Sequence, residues 1–272
     1  MRKLLTPELR DWLDLGTIVV WFSCGAASAV AAHETIRRYG DLYKIRVVNN
    51  PVKEEHADNL RFLLDVQEWL GVEIESAVNP KFPDGSCQSV WEKRRYMSGI
   101  AGAPCTVELK KRARQHWEAS NPHDWIVLGF TADERARHER FTETERENVL
   151  PVLIDAGITK ADCFRVLLDA GLRLPEIYRK GFPNANCVGC VKATSPTYWN
   201  NVREHFPDAF NARAELSREV GARLVRYRGE RLFLDELPPD AMGRPLKDTL
   251  SDVECGIFCE ERQGSLVFGG KE

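Results

Sequence analysis

Cysteine is the residue type best placed to do chemistry in this chain, and spacing sorts its eight copies. Cys187 and Cys190 form a CxxC with Gly189 inside it, a spacing at which two thiolates can grip one metal centre. A redox dithiol is the competing use, but such pairs sit between an early strand and a helix, and this one comes late. Cys105 follows Pro104 and opens the helical segment TVELKK. A cysteine at a helix N-terminus has a lowered pKa and suits metal binding or nucleophilic attack; a buried structural cysteine is the alternative. Cys105 is expected as the third ligand. Cys255 and Cys259 lie in the tail segment VECGIFCEE; either is a candidate fourth ligand, and Cys255 is also a candidate nucleophile. Cys163 falls inside a helical pattern and is expected in the core. Cys87, in the polar stretch 79–88, has no cysteine near it in sequence and is expected to be a bystander. Thiolate softness favours an iron-sulfur cluster or zinc over harder ions.

The second chemistry is anion binding. Residues 17–33 read TIVVWFSCGAASAVAAH. The uncharged run to Phe22 is a strand buried on both faces, and a helix should follow. Between them the small residues Ser23, Cys24, Gly25, Ala26, Ala27 and Ser28 let the backbone turn sharply and leave N–H groups free at a helix start. An ordinary strand-to-helix turn is the plainer reading. Asn49 and Asn50 end the next strand, and Gly129, Glu134, Arg135, Arg137 and Arg140 follow the strand 124–130. In an open parallel sheet the ligand lies beyond the carboxyl ends of the strands, so these residues are candidates for nucleotide contact, with arginines suited to bidentate phosphate or sulfate. Turn formation and a solvated helix face are their plainer uses.

The elements that would position these groups alternate. Strands are expected at 18–22, 43–48, 72–77 and 124–130. Helices are expected at 29–39, 56–70, 90–96, 105–117 and 159–171, with Gly40, Gly71 and Gly171 as stops and Thr159 as an N-cap. This pattern predicts an α/β fold with a doubly wound, mostly parallel sheet. A C-terminal helical region broken at Pro207 follows, then a hairpin turning at Gly229-Glu230 and a cysteine-bearing tail. The expected division is 1–225 as the nucleotide-binding domain including the CxxC region, and 226–272 as the hairpin and tail.

Composition narrows the class. With 43% hydrophobic residues over 272 positions the chain can bury a large core, and a net charge of −3 sets up no basic field for nucleic acid. Residues 1–15 carry charges throughout and no run of about 18 apolar residues occurs, so neither a secretory signal nor a membrane span is expected. The expected location is the cytoplasm, where eight cysteines point to metal or catalysis rather than to a disulfide scaffold.

The loop SCGAAS followed by AVAAH resembles the pyrophosphate-loop motif SGGxDS of the adenine nucleotide alpha-hydrolase superfamily, with Ala27 in place of the Asp and Cys24 in place of the first Gly. Together with CTVELK, the CxxC and Glu254-Cys255-Gly256-Ile257, in that order, it is similar to the phosphoadenosine phosphosulfate and adenosine phosphosulfate reductases. That resemblance implies the superfamily's fold, an adenine nucleotide (ATP, adenosine phosphosulfate or phosphoadenosine phosphosulfate), a 4Fe-4S cluster and a reductant such as thioredoxin. It also implies Cys255 as the thiol that attacks substrate sulfur. Those reductases carry a cysteine pair where this chain has Pro104-Cys105, and a histidine where it has Phe258. An ATP-dependent iron-sulfur sulfurtransferase acting on tRNA or DNA, and a non-catalytic nucleotide- or zinc-binding protein, remain as alternatives.

Overall fold

The computed structural model describes residues 16–246. The expected helix at 7–15 and the tail cysteines Cys255 and Cys259 lie outside them. The apolar run after Gly16 forms β1 (Thr17–Phe22), and α1 (Ala26–Tyr39) begins directly after the small-residue loop, three residues earlier than its sequence pattern predicts. β2 (Lys44–Asn49) and α2 (Asp58–Leu70) come next; Gly71 ends α2 in the left-handed region, φ 65°, which favours glycine. After β3 (Ile74–Ser76) comes α3 (Cys87–Arg94), which also starts three residues before its predicted position. The Ser86 hydroxyl accepts from the Ser89 N–H and moves that boundary back to Cys87.

Thr106–Arg112 winds as a π-helix and continues into α4 (Ala113–Ala119). β4 (Trp125–Val127), α5 (Arg135–Thr144), β5 (Val149–Leu150) and the one-turn α6 (Val152–Asp155) complete the layers. Then come α7 (Lys160–Asp169), capped by Thr159 as expected, and the short α8 (Glu176–Arg179). α9 (Pro196–His205) and α10 (Pro207–Glu219) meet at the predicted break. The hairpin pairs β6 (Val225–Tyr227) with β7 (Glu230–Leu232) in antiparallel register. Its turn is Arg228-Gly229, both at positive φ (50° and 89°), one residue before the predicted Gly229-Glu230. The expected domain boundary at 225/226 falls inside β6, and Leu234, Leu237 and Ala241 share one buried cluster with β1 and α1.

Five strands in the order β3-β2-β1-β4-β5, all parallel, form the central sheet, so the protein has an α/β fold. Alternation along β1 sends Ile18, Val20 and Phe22 to one face, with Val30, Phe62 and Phe164, and Val19 and Trp21 to the other, with Trp117 and Phe141. Helices therefore cover both faces. β1 is central, with β2 on one side and β4 on the other, so the crevice beyond its carboxyl end is the topological switch point. The loop 23–25 and the segment after β4 both open there. No helix among the described residues is long and apolar enough to cross a membrane.

Candidate four-thiol centre and loop site

The loop after β1 is held in shape by its own small side chains. Ser28 Oγ accepts from the Ser23 N–H at 3.1 Å and donates to the Gly25 carbonyl at 2.9 Å. Cys24 adopts φ 53°, a left-handed conformation rare for a residue with a Cβ. Its thiol is buried and pushed up to about 12 by burial, with Glu55 adding to the rise, so the side chain is a neutral plug. Tyr178 Oη takes the Ala26 N–H at 3.2 Å. Among the described residues nothing accepts from the N–H groups of Cys24, Gly25, Ala27 and Ser28. The four amides sit at a helix N-terminus in a turn whose side chains, apart from the exposed Ser23, are buried or nearly so.

The other loop candidates divide between scaffold and surface. Asn49 is buried; its amide donates to the Phe22 carbonyl at 2.9 Å and lies 3.6 Å from Cys24 Sγ, so it fastens the loop. Asn50 donates to the Ala77 carbonyl and ties β2 to β3. Gly129 lies against the start of α1: a Cβ there would stand 2.8 Å from the Ser28 nitrogen, so only glycine allows that approach. Glu134 joins Thr131 in a capping box and pairs with Arg137, which also stacks on Phe130. Arg135 is exposed at the head of α5. Both arginines follow the carboxyl end of β4, and Arg137 is engaged with Glu134. A separate cleft of 360 Å³ opens beyond β2 and β3 between Pro51, Lys53, Val78 and Asp84, and holds none of the predicted nucleotide residues.

Cys87 joins the cysteines expected as ligands. Cys87 Sγ lies 3.9 Å from Cys187 Sγ, so Cys87 is no bystander. Cys87 also draws the Cys105 thiol down to about 7, against the opposing effect of burial, while Cys105, Cys187 and burial raise Cys87. Cys190 is the fourth member; burial, and next its neighbour Cys187, raise its pKa. Cys163 is fully buried in the core, as expected. Three segments supply the four sulfurs: the first turn of α3, the residue before the π-helix, and the CxxC loop. The signal in the sequence was Ser86 as an N-cap, which places Cys87 at a helix start just as Cys105 is placed.

Residues between the segments fix this arrangement. The Glu54 carboxylate accepts from Ser86 Oγ (2.8 Å), the Cys87 N–H (2.7 Å) and the Gln88 N–H (3.1 Å), and its carbonyl accepts from the Val188 N–H (2.8 Å). One residue therefore binds both the Cys87 turn and the CxxC loop. Tyr198 Oη accepts from the Cys190 N–H at 2.8 Å, and Gly189 adopts φ 68°. Glu108, nearly fully buried, pairs with Arg94 of α3 and Arg112, locking the π-helix to α3. Lys110 lies 3.6 Å from Glu55; burial opposes its charge, but Glu55 first and then the neighbouring cysteines outweigh that and raise its pKa. Cys24 feels the same Glu55 and Lys110, so this pair stands between the loop and the thiols.

A tetrahedral ion with about 2.3 Å bonds to sulfur holds its sulfurs about 3.8 Å apart, which the Cys87–Cys187 pair matches. Among the described residues no three His, Cys, Asp or Glu side chains meet at the spacing of a single bound ion. Thiols, being soft donors, are nevertheless what iron-sulfur clusters and zinc select. No protein-family model matches the chain, and no curated protein matches it.

Proposed function

We propose that this chain is a sulfonucleotide-reductase-like enzyme of the adenine nucleotide alpha-hydrolase type. It binds an adenine nucleotide on the 23–28 loop, holds an iron-sulfur centre on Cys87, Cys105, Cys187 and Cys190, and transfers sulfur through Cys255. The observation that carries this reading is the fourth thiol, Cys87, beside Cys187. Four protein thiolates saturate a centre, so when bound it supplies fixed charge and cross-linking rather than an open coordination position. That favours the reductase over the sulfurtransferase, which needs an iron free to take sulfide. It also releases Cys255 and Cys259 from ligand duty.

The chain's own groups then divide the work. The free amides of Cys24, Gly25, Ala27 and Ser28 hold the nucleotide phosphate at the end of β1. Lys110, between loop and thiols, presents positive charge toward the sulfonate. The Cys255 thiolate attacks the sulfur; the bond from sulfur to the phosphate oxygen breaks, and the nucleotide leaves carrying that electron pair. The enzyme thiosulfonate is opened by a thiol of an external dithiol reductant, which releases sulfite and leaves a mixed disulfide that the second thiol resolves. Sulfur gains two electrons and the dithiol loses two. The same 3.9 Å spacing supports zinc as the alternative metal, with the centre then purely structural.

The test is anaerobic purification with iron, sulfide and zinc analysis, followed by incubation with each sulfonucleotide and a dithiol. Iron with sulfide, sulfite release, and loss of sulfite release but not of the cluster in Cys255→Ser are expected. A cluster-loaded protein that releases no sulfite from either nucleotide would sink the reductase reading. Pyrophosphate release from ATP would replace it with the sulfurtransferase.

A further inference from the structure

Arg213, on α10, is 4% exposed, its Nε is buried without a hydrogen-bond partner, and among the described residues no carboxylate pairs with it. Its guanidinium carbon lies 4.6 Å from the centre of the Trp91 ring. The side chain passes the CxxC loop so closely that a Cβ on Gly189 would stand 3.3 Å from Arg213 Cγ and 3.8 Å from its Nε. Trp91 is almost fully buried on α3, one turn from Cys87, and its Nε1 also reaches no acceptor at hydrogen-bonding distance. A buried cation whose Nε has no partner and a buried N–H donor without an acceptor are thus stacked on each other beside the CxxC loop and the Cys87 turn.

Burying an unpaired cation is costly and persists only where an opposite charge meets it. Four thiolates around a divalent ion, or around a cluster core, carry that opposite charge. Lys110 is paired with Glu55, whereas among the described residues no carboxylate pairs with Arg213. We propose that Arg213 is the counter-charge of the four-cysteine centre and that Trp91 is its stacked N–H donor, the two together retaining the centre. This rests on reading the four thiols as a metal centre.

The experiment measures the anaerobic rate at which the metal-loaded protein loses its metal to excess chelator. It compares wild type with Arg213→Gln, Arg213→Lys and Trp91→Phe. Partners of ligands typically contribute about 10–100-fold to metal affinity, so Arg213→Gln is expected to lose metal at least about tenfold faster. Lysine restores the charge but not the shape, so Arg213→Lys should recover most of the retention, which a packing role would not allow. Trp91→Phe keeps the ring, deletes the N–H and should fall between. In the iron form the reduced state gains negative charge, so Arg213→Gln should also lower the midpoint potential by about 59 mV for each tenfold change in the one-electron ratio.

Metal loss from Arg213→Gln at the wild-type rate, or from Arg213→Lys as fast as from Arg213→Gln, overturns the proposal. Should Arg213→Gln not fold, a wild-type rate in Trp91→Phe overturns it instead. Wild-type protein without iron or zinc defeats the underlying reading of the four thiols; metal-bearing wild type with unaffected variants defeats this inference alone.

Discussion

Cys87 shows how a single side chain changes an assignment. The CxxC and Cys105 were legible because their spacing and helix-start position are local properties, whereas Cys87 meets Cys187 only through tertiary packing, 100 residues away. Cys87→Ser should therefore lose metal as completely as Cys187→Ser, measured as iron, sulfide and zinc per chain; full retention would return the fourth place to a tail cysteine. Glu54 was invisible for the same reason, since nothing in Lys53-Glu54-Glu55 announces a cap for a helix more than 30 residues on. Glu54→Ala removes charged acceptors from three donors at the start of α3, an N-cap-like loss of about 1 kcal/mol. It should lower the melting temperature and speed metal release together, and a variant with lowered stability but unchanged release would separate the two roles.

Among the elements, β1, α1 and β2 follow their sequence patterns because an uncharged β-branched run and a helix closed by glycine leave few alternatives. The starts of α1 and α3 differ because loop residues, small or capping, extend a helix without adding to its apolar stripe. The strand after β3 was harder still, since β4 pairs over three residues of a predicted seven. Gly129→Ala tests the junction of β4 with α1: its Cβ would meet backbone rather than a yielding side chain, for a cost of about 1–3 kcal/mol by denaturant titration. A neutral result would mean α1 can shift freely. The start of α2 offers a pH signature. Arg61, bonded to both Asp58 carboxylate oxygens at 2.7 Å, holds that carboxyl down to about 2 from 3.8, against the opposing effect of burial. A folded pKa below the unfolded one gives stability that is complete above about pH 4 and lost as pH falls through about 2. Asp58→Asn should flatten the stability profile between those values, and an unchanged slope would show the pair to be energetically silent.

At the scale of the whole molecule, Cys87 and the strained loop's Cys24 lie in one continuous buried cluster that reaches Ala241, with Cys105 and Cys187 packed against it. A chain ending at residue 246 should accordingly keep its metal and its nucleotide affinity while losing sulfur transfer, as read by metal content, calorimetry and sulfite release. Loss of metal on truncation would place a ligand in the tail. The sulfurs also come from points far apart along the chain. A centre uniting Cys87 with Cys187 and Cys190 closes a loop of about a hundred residues, and such a closure takes on the order of 4.7 kcal/mol of conformational freedom from the unfolded chain if it survives there as a covalent cross-link does. The metal would then act as a removable clasp whose worth lies in the disordered chain as much as in the ordered one, and stripping it would leave the sheet intact while allowing α9, α10 and the hairpin to part from it first.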